Sequence, residues 1–112
     1  MLTDKKEQAI SLLLSSRELA KKTSDGEVII EINNILAEQY IKSNQPQKAL
    51  ASLELSAEFQ PIAYPYLLLK SKANHLLGHK LKALDLANEC KVLSKELWFI
   101  EDDIYLNSLV NL

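Results

Sequence analysis

The stretch from Asn33 to Pro61, NNILAEQYIKSNQPQKALASLELSAEFQP, decides the fold. Leu36, Ala37 and Tyr40 are spaced so that one face of a helix carries all three. Asn44 and Gln45 interrupt that pattern. Pro46 follows, where a helix tolerates proline because its first-turn amides have no intrahelical partner. Ala49, Leu50 and Leu53 line a second helix, expected to run to about Gln60 with Ala57 and Phe59 also on its inner side. Pro61 ends the unit. Helices joined by so short a turn lie antiparallel. Small residues such as Ala37 and Ala49 let them approach closely, and larger ones fill the gaps between units.

Working outward, Thr3 is a candidate cap for a preceding helix, with Asp4 and Glu7 in its electropositive first turn. Ala9, Ile10, Leu13, Ser16, Leu19 and Ala20 form its apolar stripe. Lys21 and Lys22 suit its negative end. Thr23 to Gly26 breaks the helix, and Ser24 followed by Glu27 has the spacing of a capping box. The helix starting there carries Val28, Ile29, Ile32, Leu36, Ala37, Tyr40 and Ile41. Its β-branched start suggests a strand in isolation, but the run is too long and lacks strict alternation. Beyond Pro61, a fourth helix is expected from about Pro65 to Leu77, closed by Gly78 as a left-handed cap. A fifth starts near Lys80, with Leu81, Ala83, Leu84, Ala87, Cys90 and Leu93 on its inner stripe. A sixth begins between Lys95 and Glu101 and runs to Leu112.

The chain repeats itself. Ala49 and Ala83 are 34 residues apart, as are Asn44 and Gly78, Leu50 and Leu84, Ser56 and Cys90, and Phe59 and Leu93. At a shift of 40, Ala9, Ile10, Leu13, Ser16 and Leu19 fall on Ala49, Leu50, Leu53, Ser56 and Phe59. At a shift of 74, Ile30, Ile32, Asn33, Ile35 and Leu36 fall on Ile104, Leu106, Asn107, Leu109 and Val110. A period of 34 with Leu36-Ala37-x2-Tyr40, then Ala49-x3-Leu53, then Pro61 resembles the tetratricopeptide repeat. Asn33 stands in place of its Trp, Ala37 of its Gly and Leu53 of its Phe. In the next unit Lys70, Ser71 and Asn74 replace Leu, Gly and Tyr, and Lys95 replaces the final Pro. The resemblance implies a half repeat over 3–23, repeats over about 24–61 and 62–95, and a terminal helix over about 97–112. The extra residues around Thr23 to Gly26 are similar to the longer-loop variant of the repeat. The expected fold is all-α: a superhelix of about six antiparallel helices in one domain.

Composition narrows the function classes. The chain has 112 residues, 47% apolar, with two Gly and three Pro, which argues against disorder and against a turn-rich β fold. Its formal charge of −2 leaves no basic footprint for nucleic acid. One cysteine excludes an internal disulfide framework. The charged start lacks a secretory signal's apolar core, and no apolar run is long enough to span a membrane. The expected location is cytoplasmic.

No constellation for catalysis stands out. His75 and His79 are four apart, but no Glu follows His75 in the zinc-protease manner and Gly78 should end the helix between them. Cys90 falls where Ser16 and Ser56 fall, as a small buried residue with no His–acid pair to activate it. Glu101, Asp102 and Asp103 lack calcium-loop spacing and simply suit a helix start. There is no phosphate loop and no nucleophile elbow. The chain is therefore expected to be non-enzymatic, with no cofactor and no metal.

The tetratricopeptide resemblance implies a concave groove, lined by the first helix of each unit, that binds an extended or helical peptide of a partner protein. Carried onto this chain, the groove residues are Glu31, Asn34, Glu38 and Lys42, then Leu68, Lys72 and His75, then Tyr105 and Ser108. Some family members clamp a partner's terminal carboxylate with Lys, Asn and Arg. Asn34 fits one such place, but Glu38 puts an acid in another and the last helix has no Lys or Arg. A partner with apolar and basic side chains suits Glu31, Glu38, Leu68 and Tyr105 better. The partner's identity is not written in the sequence. Two other roles are consistent with the pattern: a regulatory or sensor segment of a larger signalling protein, and a self-assembling structural unit. The apolar last helix, with Ile104, Leu106, Leu109, Val110 and Leu112, is expected to leave an exposed patch, covered by a homodimer contact or by continuation of the chain.

Overall fold

The computed structural model describes residues 2–110, with side chains from 5 to 110. Thr3, Asp4 and Leu112, invoked above, lie outside the described side chains. Among the described residues there are six α-helices and no strand. They are α1 (Leu2–Thr23), α2 (Gly26–Lys42), α3 (Pro46–Glu54), α4 (Ala63–Leu76), α5 (Lys80–Leu93) and α6 (Ile100–Val110). Two single 3₁₀ turns, Ala57–Phe59 and Lys95–Leu97, follow α3 and α5.

Three of the five connections use one device. Ser24, Asn44 and Gly78 each sit in the left-handed region, with φ of 54°, 57° and 83°. Each donates its N–H to the carbonyl three residues back, and the next residue donates to the carbonyl five back, as in Asn44 to Ile41 at 3.0 Å and Gln45 to Tyr40 at 2.8 Å. This Schellman pattern satisfies carbonyls that the helix end would otherwise leave open. It also corrects the expected start of α2. Ser24 closes α1, so it is not free to cap α2, and Asp25 does so by accepting the Val28 N–H at 3.3 Å. Gly26 then begins the helix beneath the Phe59 ring. A Cβ at Gly26 would lie 2.7 Å from Phe59 Cδ1, so any larger residue there would have to displace the ring.

Consecutive helices pack on one another, and α2 also touches α4. Ala37, Ala49, Leu53, Tyr66, Leu69 and Ala73 form one buried cluster across α2, α3 and α4. Ala83, Ala87, Leu106 and Leu109 form a second across α5 and α6. Ala49, Ala83 and Cys90 are fully buried, at the close contacts their spacing predicts.

Several expectations need correction. α3 stops at Glu54 rather than near Gln60. Ser56 turns inward and accepts the Asn33 side-chain amide at 2.9 Å, which leaves Ala57 exposed and tightens the chain into a 3₁₀ turn. Gln60, just before Pro61, is left-handed instead of helical. The start of the fourth helix is as expected: the assigned span opens at Ala63, but Tyr64 is extended, at φ −101° and ψ 128°, so continuous helical geometry begins at Pro65. Ala9 is exposed, and Leu19, Leu81 and Leu93 are 63%, 76% and 63% exposed, not on the inner stripe. For α1 the reason is a single flank: α2 covers one side and nothing described covers the other.

Candidate functional site

α2, α4 and α6 together frame a cavity of about 240 Å³. Glu38, Ile41 and Lys42 come from α2, Tyr64, Pro65, Leu68, Leu69 and Lys72 from α4, and Asp102 from α6. Three segments far apart in sequence thus share one concavity. Of the groove residues expected from sequence, Glu38, Lys42, Leu68 and Lys72 meet here. Leu68 is only 3% exposed, so it forms the floor and offers no protruding apolar contact.

Charges at the mouth are already engaged. Lys42 Nζ lies 3.2 Å from Glu38 Oε1, one helical turn away. Lys72 Nζ sits 5.4 Å from the centroid of the Tyr105 ring, within cation–π range. His75 meets the same ring edge-on, with centroids 6.2 Å apart. The Tyr105 hydroxyl and Ser71 Oγ lie 2.8 Å apart, and Ser71 donates to the Ala83 carbonyl at 2.6 Å, which links α4, α5 and α6. Burial pushes the Tyr105 phenol above its ordinary pKa. Lys72, His75 and Tyr105 therefore form a second group that joins the cavity through Lys72. The remaining expected residues are not lining residues of the cavity. Glu31 is exposed, Asn34 is half-buried with its Oδ1 unpartnered, and Ser108 donates to the Tyr105 carbonyl at 2.5 Å within α6.

Sequence reasoning missed Tyr64 and Asp102 as cavity residues. Asp102 is 6% exposed. Its Oδ2 accepts from the Tyr64 hydroxyl at 2.8 Å and from the Phe99 N–H at 3.0 Å. The second bond is half of a capping box, an acid in the first turn reaching back to the amide at the helix start. That position was legible as a helix-start acid; the cavity beside it was not, because Tyr64 is distant in the chain. The Tyr64 phenol is pushed up to about 12, first by burial and then by its bond to Asp102.

Elsewhere, the Cys90 thiol points at the Ala63 carbonyl, 3.6 Å away, and burial pushes its pKa up, which disfavours the thiolate. His79 precedes α5 and its Nδ1 lies 3.2 Å from Asn74 Oδ1, so the two histidines sit on different helical segments. Among the described residues no three His, Cys, Asp or Glu side chains gather as a metal site, and no helix is long and apolar enough to cross a membrane. Comparison of the chain with protein-family models, with curated proteins and with solved structures returns no match.

Proposed function

We propose that this chain is a non-enzymatic protein-interaction module of the tetratricopeptide type, which receives a peptide segment of a partner protein in the α2–α4–α6 concavity. The observation that carries the reading is the cavity itself. Alternate helices line it, while α3 and α5 pack behind them, as expected of stacked helical pairs. The 34-residue offset between Asn44 and Gly78, both left-handed helix ends, supports the repeat. A Cα radius of gyration of 14.4 Å, against about 13 Å for a compact domain of this length, favours an open array over a closed bundle.

The test is selection of extended peptides against the immobilised chain, followed by charge reversal. Glu38→Lys removes a lining acid and sets two cations one turn apart, so it should weaken the selected peptides. Glu54→Lys, on the exposed side of α3, should not. Equal effects of the two variants would dismiss the groove.

A second reading has an observation of its own. Ile100 and Ile104, one turn apart on α6, are 74% and 65% exposed. Apolar patches of this kind mark interfaces. Self-association through α6 would show as a concentration-dependent mass in light scattering that Ile104→Glu abolishes; a constant monomer mass would exclude it.

A further inference from the structure

This inference rests on the reading of the α2–α4–α6 cavity as a peptide groove and names the side chain it takes. A carboxylate as buried as Asp102 is normally paired with a cation. Here both structural hydrogen bonds fall on Oδ2, and both donors, Tyr64 and the Phe99 N–H, are neutral. Oδ1 accepts no hydrogen bond among the described residues, and Asp102 lines the cavity. The nearby lysines contact other groups: Lys42 lies against Glu38, Lys72 over the Tyr105 ring, and Lys91 against Asp103 at 2.9 Å. The start of α6 offsets part of the charge, as roughly half an elementary charge. Among the described residues no full cation forms an ion pair with Asp102. Burial first, and then the bond to Asp102, raises the Tyr64 pKa, so the phenol stays a neutral donor.

We infer that Asp102 anchors a lysine or arginine side chain of the bound peptide, inserted into the cavity between α2, α4 and α6. The aliphatic stem lies along Ile41, Pro65, Leu68 and Leu69, and the charged end reaches Oδ1. The cavity is large enough for a side chain and too small for a folded element. Arginine suits it best, since its fork can bond Oδ1 while remaining partly hydrated.

The experiment is amide-resolved NMR titration of the isotopically labelled chain with single-residue probes. These are Nα-acetyl-arginine amide, its neutral near-isostere Nα-acetyl-citrulline amide, and Nα-acetyl-glutamate amide. The arginine probe should move the Ile41, Leu69 and Asp102 amides with an affinity about tenfold or more above the citrulline probe's. The glutamate probe should bind weakest. Asp102→Asn keeps an oxygen for Tyr64 and Phe99 and places an amide where Oδ1 was, so the helix start survives while the charge is lost. In that variant the preference for arginine should vanish at unchanged helical content. Equal affinity for arginine and citrulline, or an arginine preference that survives Asp102→Asn, overturns the inference. If that variant fails to fold, intermolecular NOEs from the arginine methylenes to the Leu68 and Leu69 methyls of the unmodified chain decide it, and their absence counts against it. Selected peptides separate this from the underlying reading. Peptides that perturb α2, α4 and α6 but prefer neutral or acidic residues overturn the anchor and leave the groove. Peptides that perturb only other faces overturn both.

Discussion

Asn33→Ala tests a buried polar junction that ties α1, α2 and the end of α3 together. The Asn33 side chain is fully buried. Its Oδ1 accepts from Arg17 Nη1 at 2.8 Å, and its Nδ2 donates to Ser56 Oγ at 2.9 Å. The first bond is charge-assisted, and such bonds are worth about 1.5–3 kcal/mol; the second is neutral and worth about 0.5–1.5 kcal/mol. Alanine removes both, leaves a buried Ser56 hydroxyl without its donor, and opens a void. Arg17 Nε is itself buried without a partner, so loss of the Asn33 bond removes a contact from an already under-satisfied guanidinium. The expected destabilisation is about 2–4 kcal/mol, a large share of the roughly 5–15 kcal/mol of a typical domain. At about 4 °C per kcal/mol for a chain of this size, the midpoint should fall by about 8–16 °C. Urea unfolding followed by helical circular dichroism measures it, with an unchanged m-value as the sign that the native state is intact. Ser56→Ala alone, and combined with Asn33→Ala, completes a cycle. The double variant should cost less than the two single ones added together, because each breaks the same bond. A loss under about 0.5 kcal/mol for Asn33→Ala, or strict additivity, would refute the claim that this junction holds the three elements together.

Ala49→Leu inserts three carbons at a fully buried position where α2, α3 and α4 meet, and should cost about 1–3 kcal/mol in the same assay; an unchanged melting temperature would mean that another face of α3 is inside. Tyr64 gives a pH signature. Its phenol titrates at about 12 in the fold against an ordinary value of 10.0, so its contribution is complete below pH 10 and drains away as pH rises toward 12. Discounted for its partial exposure, wild type should lose about 1 kcal/mol relative to Tyr64→Phe across that window, read by urea unfolding at successive pH values. A constant gap between the two proteins would show that neither burial nor the Asp102 bond holds the phenol neutral.

Helix order was readable from the chain because its causes are local. A stripe at three-to-four spacing, Pro46 at a first turn and Gly78 at a left-handed end act over a few residues; Pro46 and Gly78 do so in the structure, while the stripes hold only in part. The 34-residue offset carried over as well, since Asn44 and Gly78 perform the same closure. What the sequence left open depends on partners brought from a distance. α3 ends early because Ser56 turns to Asn33, 23 residues away, and no helix-ending residue lies between Glu54 and Gln60 to announce it. Leu19 and Leu93 match their repeat partners by spacing yet face solvent, because a residue's face is buried only where a neighbouring helix covers it. Asp102 reads as an ordinary helix-start acid by itself. Only the packing of α6 beside α4 sets it against Tyr64, 38 positions earlier, and turns a capping carboxylate into the wall of a cavity. Local bonding determined the elements; which of their faces met, and therefore where charge is buried, was decided by the tertiary structure.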